Sequence, residues 1–300
     1  MEYVMAAASL RRRRLARALQ ELREQTSLSI TETAKLAGFS QAKLSRIEAA
    51  QISISGDDTY ELCQALGVGE DVANELVKLA RHAKRRDWWH SYPDSVLGRT
   101  TSLFELEADA DSKYSFTIDV VPGPLQTEAY ARELIRHGFP REPDAAIAQR
   151  VEVRMARQRH IAAGALEFWA IIDEPALRRT IGGPEVMVEQ IHQLLEIAGS
   201  QHVSIQVLPA EVGCHPALGA PFHIFTLADG YSCVALENLT GGIYVEDAAE
   251  VRVYREAWSK LAAMALSFER SAELLTALVA EHRSAPREPR PLRVEEERGE

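Results

Sequence analysis

Apolar residues in the first quarter of the chain recur every three or four positions, the spacing of a single helix face. Leu15, Ala18, Leu19 and Leu22 mark a first helix over 10–25. Ser29 and Glu32 have the spacing of a capping box at the start of a second helix. That helix stops at Gly38, a residue suited to the left-handed position after a helix end. Ser40 caps a third helix over 41–49. Residues 55–58, Ser-Gly-Asp-Asp, open a fourth that Gly67 closes, and 72–84 form a fifth whose basic end suits its dipole. Short helices in such close succession predict a compact five-helix bundle.

The pattern breaks at 85–93, where Trp88, Trp89 and Tyr92 can pack a junction. Beyond it the periods are mixed. Helices are expected over 103–114, 126–136, 144–162, 185–198, 247–268 and 271–282. Strands are expected over 166–172, 203–207, 222–227, 232–237 and 242–245. The second alternates strictly, and Asp229-Gly230 is a hairpin turn between the third and fourth. The last residues, rich in Pro, Arg and Glu, predict disorder. The expected fold is mainly α with an α+β C-terminal domain: a helical bundle, then a helical region and a small sheet flanked by helices. The expected domains are 1–86, 87–283 and a tail at 284–300.

Residues 29–48 carry the most specific chemistry. Ile30, Ala34 and Ala37 face inward on one helix, and Leu44 and Ile47 on the next. Between them come Gly38 and the apolar Phe39. Two short helices joined by a tight glycine turn form the arrangement that seats a second helix in the major groove of double-stranded DNA. Gln41, Ala42, Lys43, Ser45 and Arg46 face outward on that second helix. Gln pairs bidentately with adenine and Arg with guanine, while Lys serves base or phosphate. Ser40, at the helix start, suits a phosphate. Arg11, Arg12, Arg13 and Arg14 are placed for salt-dependent backbone contacts.

Charge supports this placement by its distribution rather than its sum. The chain of 300 residues has net charge −10. Residues 10–46 hold nine Lys/Arg against three Glu, a net +6, and residues 87–300 hold 20 Lys/Arg against 33 Asp/Glu, a net −13. A basic head on an acidic body suits a DNA-reading module joined to a domain with another role. No apolar run is long enough to span a membrane, no secretion signal opens the chain, and three scattered cysteines build no disulfide framework. A cytoplasmic location is expected.

Residues 10–80 resemble the Xre/Cro-type helix-turn-helix family through Ala34, Gly38, Ser40, Leu44, Ser45, Ile47 and Glu48. The resemblance implies a lambda-repressor-like bundle. Ala50 and Ser55 stand where many members have Gly and Pro, so the loop after the third helix is open to change. Residues 121–132, VPGPLQTEAYAR, are similar to a "PGLLQT–YAR" motif with Pro124 in place of Leu. Arg154, Arg157 and Gln158 match a following "R-x-x-RQ". Further blocks fall at 173–177, Gly182-Gly183, Met187 and Gln190, and 207–209 with Gly213, His215 and Phe222. This collinear set resembles the C-terminal domain of actinobacterial antitoxin-like Xre regulators. It implies transcription control, often beside a small partner protein encoded by a neighbouring gene. The alternative is an antitoxin-like protein that neutralises this partner and only autoregulates its operon.

Other chemistry is weaker. Cys214, His215, His223 and Cys233 have no compact zinc spacing. Asp173-Glu174 fits a helix start better than an acid/base pair. No nucleophile elbow, P-loop or dinucleotide fingerprint is present, so neither an enzyme nor a cofactor is expected. Arg150, Arg154 and Arg157 share a helix face that suits an acidic partner or neighbouring carboxylates. A homodimer is expected, because one short recognition helix makes few base contacts and two half-sites multiply specificity. The stripe through Val251, Tyr254, Trp258, Leu261 and Ala265 is either a dimer surface or core.

Overall fold

The computed structural model describes residues 9–97, 100–163, 166–238 and 241–284. Of the tail expected to be disordered at 284–300, Ser284 is the last residue of a helix, and 285–300 lie outside the described residues. Two compact units divide between Leu106 and Glu107.

The first unit opens with α1 (Leu10–Gln25), α2 (Ile30–Leu36), α3 (Gln41–Glu48), α4 (Gly56–Ala65) and α5 (Glu70–His82). Caps set the starts. Ser9, Ser29, Ser40 and Ser55 each accept a backbone N–H of the first turn, and Ser29 with Glu32 completes the capping box. Gly38 and Gly67 take φ of +70° and +68° after their helices. Leu15, Leu19, Ala34, Leu44, Ile47, Leu62 and Cys63 form the core. Ala50 holds φ at +54°, so the loop after α3 keeps a glycine-type turn without a glycine. A short 3₁₀ turn (Trp88–Ser91) and α6 (Asp94–Leu97) follow. Trp89 is fully buried, and Trp88 and Trp89 pack against Phe104.

α7 (Thr101–Asp109) leads into the second unit, a six-stranded sheet flanked by helices. Its strands are β1 (Ala110–Thr117), β2 (Glu167–Asp173), β3 (Val203–Leu208), β4 (Phe222–Leu227), β5 (Ser232–Asn238) and β6 (Gly241–Val245), in the order β3-β2-β1-β4-β5-β6. β1, β2 and β3 run parallel, and β4, β5 and β6 continue antiparallel. The parallel crossovers are α8 (Glu128–Gly138) with α9 (Asp144–Ala163), then α10 (Glu174–Arg178) with α11 (Pro184–Ile197). The chain closes with α12 (Ala248–Met264) and α13 (Phe268–Ser284).

Two expectations change. Residues 110–114 are not the end of a helix but the start of β1, a central strand paired on both sides. The helix expected over 247–268 ends at Met264. There the Leu266 N–H donates to the Val207 carbonyl at 2.9 Å, and the Gln206 side chain donates to the Leu266 carbonyl at 2.7 Å. Bonds to β3 replace the next helical turn.

The sheet buries both faces. On one, Phe116, Ile171, Phe222, Ile224 and Val234 meet Val251, Trp258 and Leu261 of α12. The stripe on α12 is therefore core. On the other face, Phe168, Ala170, Ile172, Ile205 and Val207 meet Tyr130, Met187, Ile191 and Leu194, with Leu275 and Leu278 of α13. Each large apolar side chain enclosed in this way stabilises the unit by about 1.5–3 kcal/mol.

Candidate functional site

In α3, Leu44 and Ile47 are buried, and Gln41, Ala42, Ser45 and Arg46 are exposed one step round the helix. The anchoring of the inner face fixes the direction of the outer one. A second anchor lies at the helix end. Arg23 of α1 donates to both Glu48 oxygens, Nε at 2.7 Å and Nη2 at 3.0 Å, and to the Leu28 carbonyl at 3.2 Å. This fork locks α3 to α1, and the bond to Glu48 raises the Arg23 pKa despite burial. The sequence pattern did not disclose the pair, because 25 residues separate its members.

Lys43 is half-buried. Its ammonium lies 3.0 Å from Asp58 of α4 and 3.9 Å from the centre of the Phe39 ring. Burial works to raise the Asp58 pKa, but the bonds from Lys43 and Ser55 outweigh it and lower it. The Arg46 Nε donates to the Ala42 carbonyl at 3.2 Å, which lays this exposed side chain along the helix. Ser40 is exposed, and its hydroxyl accepts the Lys43 N–H at 3.1 Å. Of the α1 arginines, Arg12, Arg13 and Arg14 are half-buried. Arg11 turns inward: it is 4 % exposed, pairs with Asp87 at 2.5 Å and lies 5.6 Å from the Trp89 ring centre. That position differs from the surface role expected of it, since a buried guanidinium needs its carboxylate.

Three of the motif blocks of the second unit, at 121–132, 154–158 and Gln190, converge on one loop. Pro122 leads into a 3₁₀ turn at Gly123–Leu125, and Thr127 then caps α8. Arg154 donates to the Gln126 side chain at 2.5 Å. Gln158 donates to the Gly123 carbonyl at 3.1 Å and to the Gln126 carbonyl at 2.5 Å. Gln190 accepts from the Thr127 N–H at 2.8 Å and donates to the Leu125 carbonyl at 2.7 Å. The Tyr130 hydroxyl accepts from the Val121 N–H at 3.1 Å. The three blocks therefore act together structurally, and each ties the 121–127 loop to a helix.

Beside this loop lies a buried polar centre of which the sequence analysis singled out only Arg157. Lys113 of β1 is fully enclosed, with its ammonium 2.6 Å from Glu107 and 5.0 Å from the Phe168 ring centre. Arg157 grips both Glu107 oxygens at 2.5 Å. Burial pushes the Glu107 carboxyl up, but the charges of Arg157 and Lys113 outweigh it and hold it at about 2. Arg150 forks onto Glu142 at 2.7 Å, so two of the three aligned arginines meet neighbouring carboxylates. Ser115, paired with His223 across β1 and β4, bonds its Nδ1 at 2.7 Å, and the opposite ring nitrogen lies 3.1 Å from Glu237. The Ser115 hydroxyl is wholly enclosed, which suits a bond that joins strands rather than a nucleophile. His223 and Cys233 share a face of the sheet two register positions apart, opposite Ala235 and Phe225 respectively, and both His223 ring nitrogens are engaged elsewhere, by Ser115 and Glu237. Glu174 accepts the Ala210 N–H at 2.9 Å and Arg178 Nε at 2.5 Å, as a carboxylate at a helix start does. Among the described residues no group of three His, Cys, Asp or Glu could hold a metal ion, and no helix is long and apolar enough to cross a membrane.

Comparison with known proteins agrees with the division. Residues 14–76 match the helix-turn-helix domain family, which makes the first unit a DNA-binding domain of the kind used by regulators. No curated protein matches the chain. Residues 100–277 match a second family, defined only as a domain of unknown function, DUF5753. That match spans more than half of the sequence, and the chain belongs to the DUF5753 family, with a helix-turn-helix domain at its head.

Proposed function

We propose that the chain is a cytoplasmic, sequence-specific transcription regulator of the antitoxin-like Xre type, in which α3 reads base edges in the major groove. The carrying observation is the exposed ridge of Gln41, Ala42, Ser45 and Arg46 on a helix anchored by Leu44, Ile47 and the Arg23–Glu48 fork. Gln41 and Arg46 supply the bidentate chemistry. Lys43, held by Asp58, exchanges that carboxylate for a phosphate when DNA arrives. Ser40 and Arg12, Arg13 and Arg14 supply backbone contacts, while Arg11 anchors α1. The protein acts as a homodimer on two half-sites, since an eight-residue helix contacts few bases. The second unit is the effector domain, and it receives a ligand or a small partner protein from a neighbouring gene.

The test is a gel-shift on the DNA upstream of its own gene, repeated over a salt series. Saturable, sequence-selective binding is expected. Substitution of Arg12, Arg13 and Arg14 by Gln should flatten the log–log salt slope by up to about 0.9 for each lost contact. Binding that does not distinguish this DNA from a scrambled duplex overturns the proposal.

A further inference from the structure

In the second unit a pocket of about 350 Å³ opens at the N-terminal ends of β2 and β3, where α9 and α11 finish. Leu125, Leu166 and Phe168 form its buried walls, with Ile161, Ile197 and Val203 partly buried around them. Its volume lies at the small end of the ~300–1,000 Å³ typical of small-molecule sites, and apolar walls with a few polar groups are their usual lining.

The polar groups at this pocket are cationic or neutral, not acidic. Arg159 and His202 line it, and both are exposed. The other arginines of α9 are engaged: Arg150 with Glu142, Arg154 with Gln126 and Arg157 with Glu107. Arg159 has no hydrogen bond or ion pair among the described residues. A guanidinium without a carboxylate, set beside an enclosed apolar surface, is complementary to a molecule with an apolar body and an anionic head. Gln158 and Leu125 connect the pocket to the 121–127 loop, so an occupant touches the element on which the motif blocks converge.

We propose that this pocket binds a small apolar carboxylate, its hydrocarbon body against Phe168, Leu125 and Ile197 and its carboxylate paired with Arg159. Its consequence for DNA rests on the effector reading above; the site itself does not. The probes are decanoate and 4-phenylbutyrate, each compared with its alcohol, titrated calorimetrically into the full chain. At least one carboxylate should bind saturably, about tenfold or more tighter than its alcohol. Arg159→Gln, at an exposed position, should reduce the carboxylate to the level of the alcohol and change the alcohol by less than about twofold. Ile197→Trp should fill the pocket and abolish both, with the circular dichroism spectrum unchanged as the check on folding. No saturable binding of either carboxylate at millimolar concentration overturns the site, as does binding that ignores both substitutions. Binding that obeys these rules while the gel-shift stays unchanged keeps the site and removes the effector reading.

Discussion

The helix-turn-helix and the sheet place polar groups in opposite ways. In α3 Gln41, Ser45 and Arg46 point out, while Leu44 and Ile47 are buried and Glu48 is held inward by Arg23. In β1 the inward positions include Lys113 and Ser115, each fully enclosed, the first bonded to Glu107 six residues back and the second to His223 across the sheet. An outward ridge is free to meet another molecule. An inward charge is committed to its own chain, and its removal leaves a partner stranded.

The largest expected effect follows from that commitment. Glu107→Gln leaves Lys113 and Arg157 enclosed without their shared carboxylate, and should destabilise the second unit by about 3–5 kcal/mol. Urea unfolding followed by tryptophan fluorescence measures it, and a loss below about 1 kcal/mol would show that water already reaches the centre. The triple replacement Glu107→Leu, Lys113→Met, Arg157→Met sharpens the point. It should cost far less than the single change, because apolar groups of similar volume need no compensation. Acid gives an independent view. The Glu107 pKa is about 2 when folded against 4.5 ordinarily, so its contribution is complete above pH 4.5 and is lost as pH falls toward 2. The stability gap between the wild type and Glu107→Gln should therefore close across that interval.

The same contrast explains what could be read from sequence. In the bundle most polar positions are exposed, with Arg11 an exception, so helical periodicity, serine caps and glycine stops located all five helices and the turn between α2 and α3. In the second unit strands with apolar inward positions, such as β3 and β4, were equally legible. β1 was not: Asp111, Ser112, Lys113 and Ser115 gave it no apolar alternation, and the carboxylate that makes Lys113 tolerable inside lies six residues back in α7. The motif blocks were visible as a series, but the convergence of three of them on the 121–127 loop depends on bonds across 28 to 65 residues. No local spacing encodes such bonds.

Leu44→Ala tests the inner face of the ridge. The side chain is fully buried, and its truncation should cost about 2–5 kcal/mol in the first unit. It should also weaken DNA binding at all sites alike, because it loosens the whole helix. Arg46→Ala tests the outer face and should do the reverse. Thermal stability should hold within about 0.5 kcal/mol, while discrimination at one base position falls by about 1–3 kcal/mol. A selection of bound sequences from a random pool separates the two outcomes. Discrimination undiminished at every position after Arg46→Ala would remove this side chain as a reader and leave Gln41 as the candidate.

The smallest effect concerns backbone alone. Ser27, between α1 and α2, is exposed and holds φ at +58°. An L side chain in the left-handed region costs about 1–2 kcal/mol, and glycine removes most of that cost while adding some freedom to the unfolded chain. Ser27→Gly should therefore stabilise the first unit by roughly 0.5–1 kcal/mol, visible as a rise in the urea midpoint. Ala50, at φ +54°, should gain less from the same change, because it is only 6 % exposed and the burial of its methyl would be lost. Equal gains at both positions would mean that the methyl of Ala50 contributes nothing to packing after α3, and that the turn following this helix is held by its backbone bonds alone.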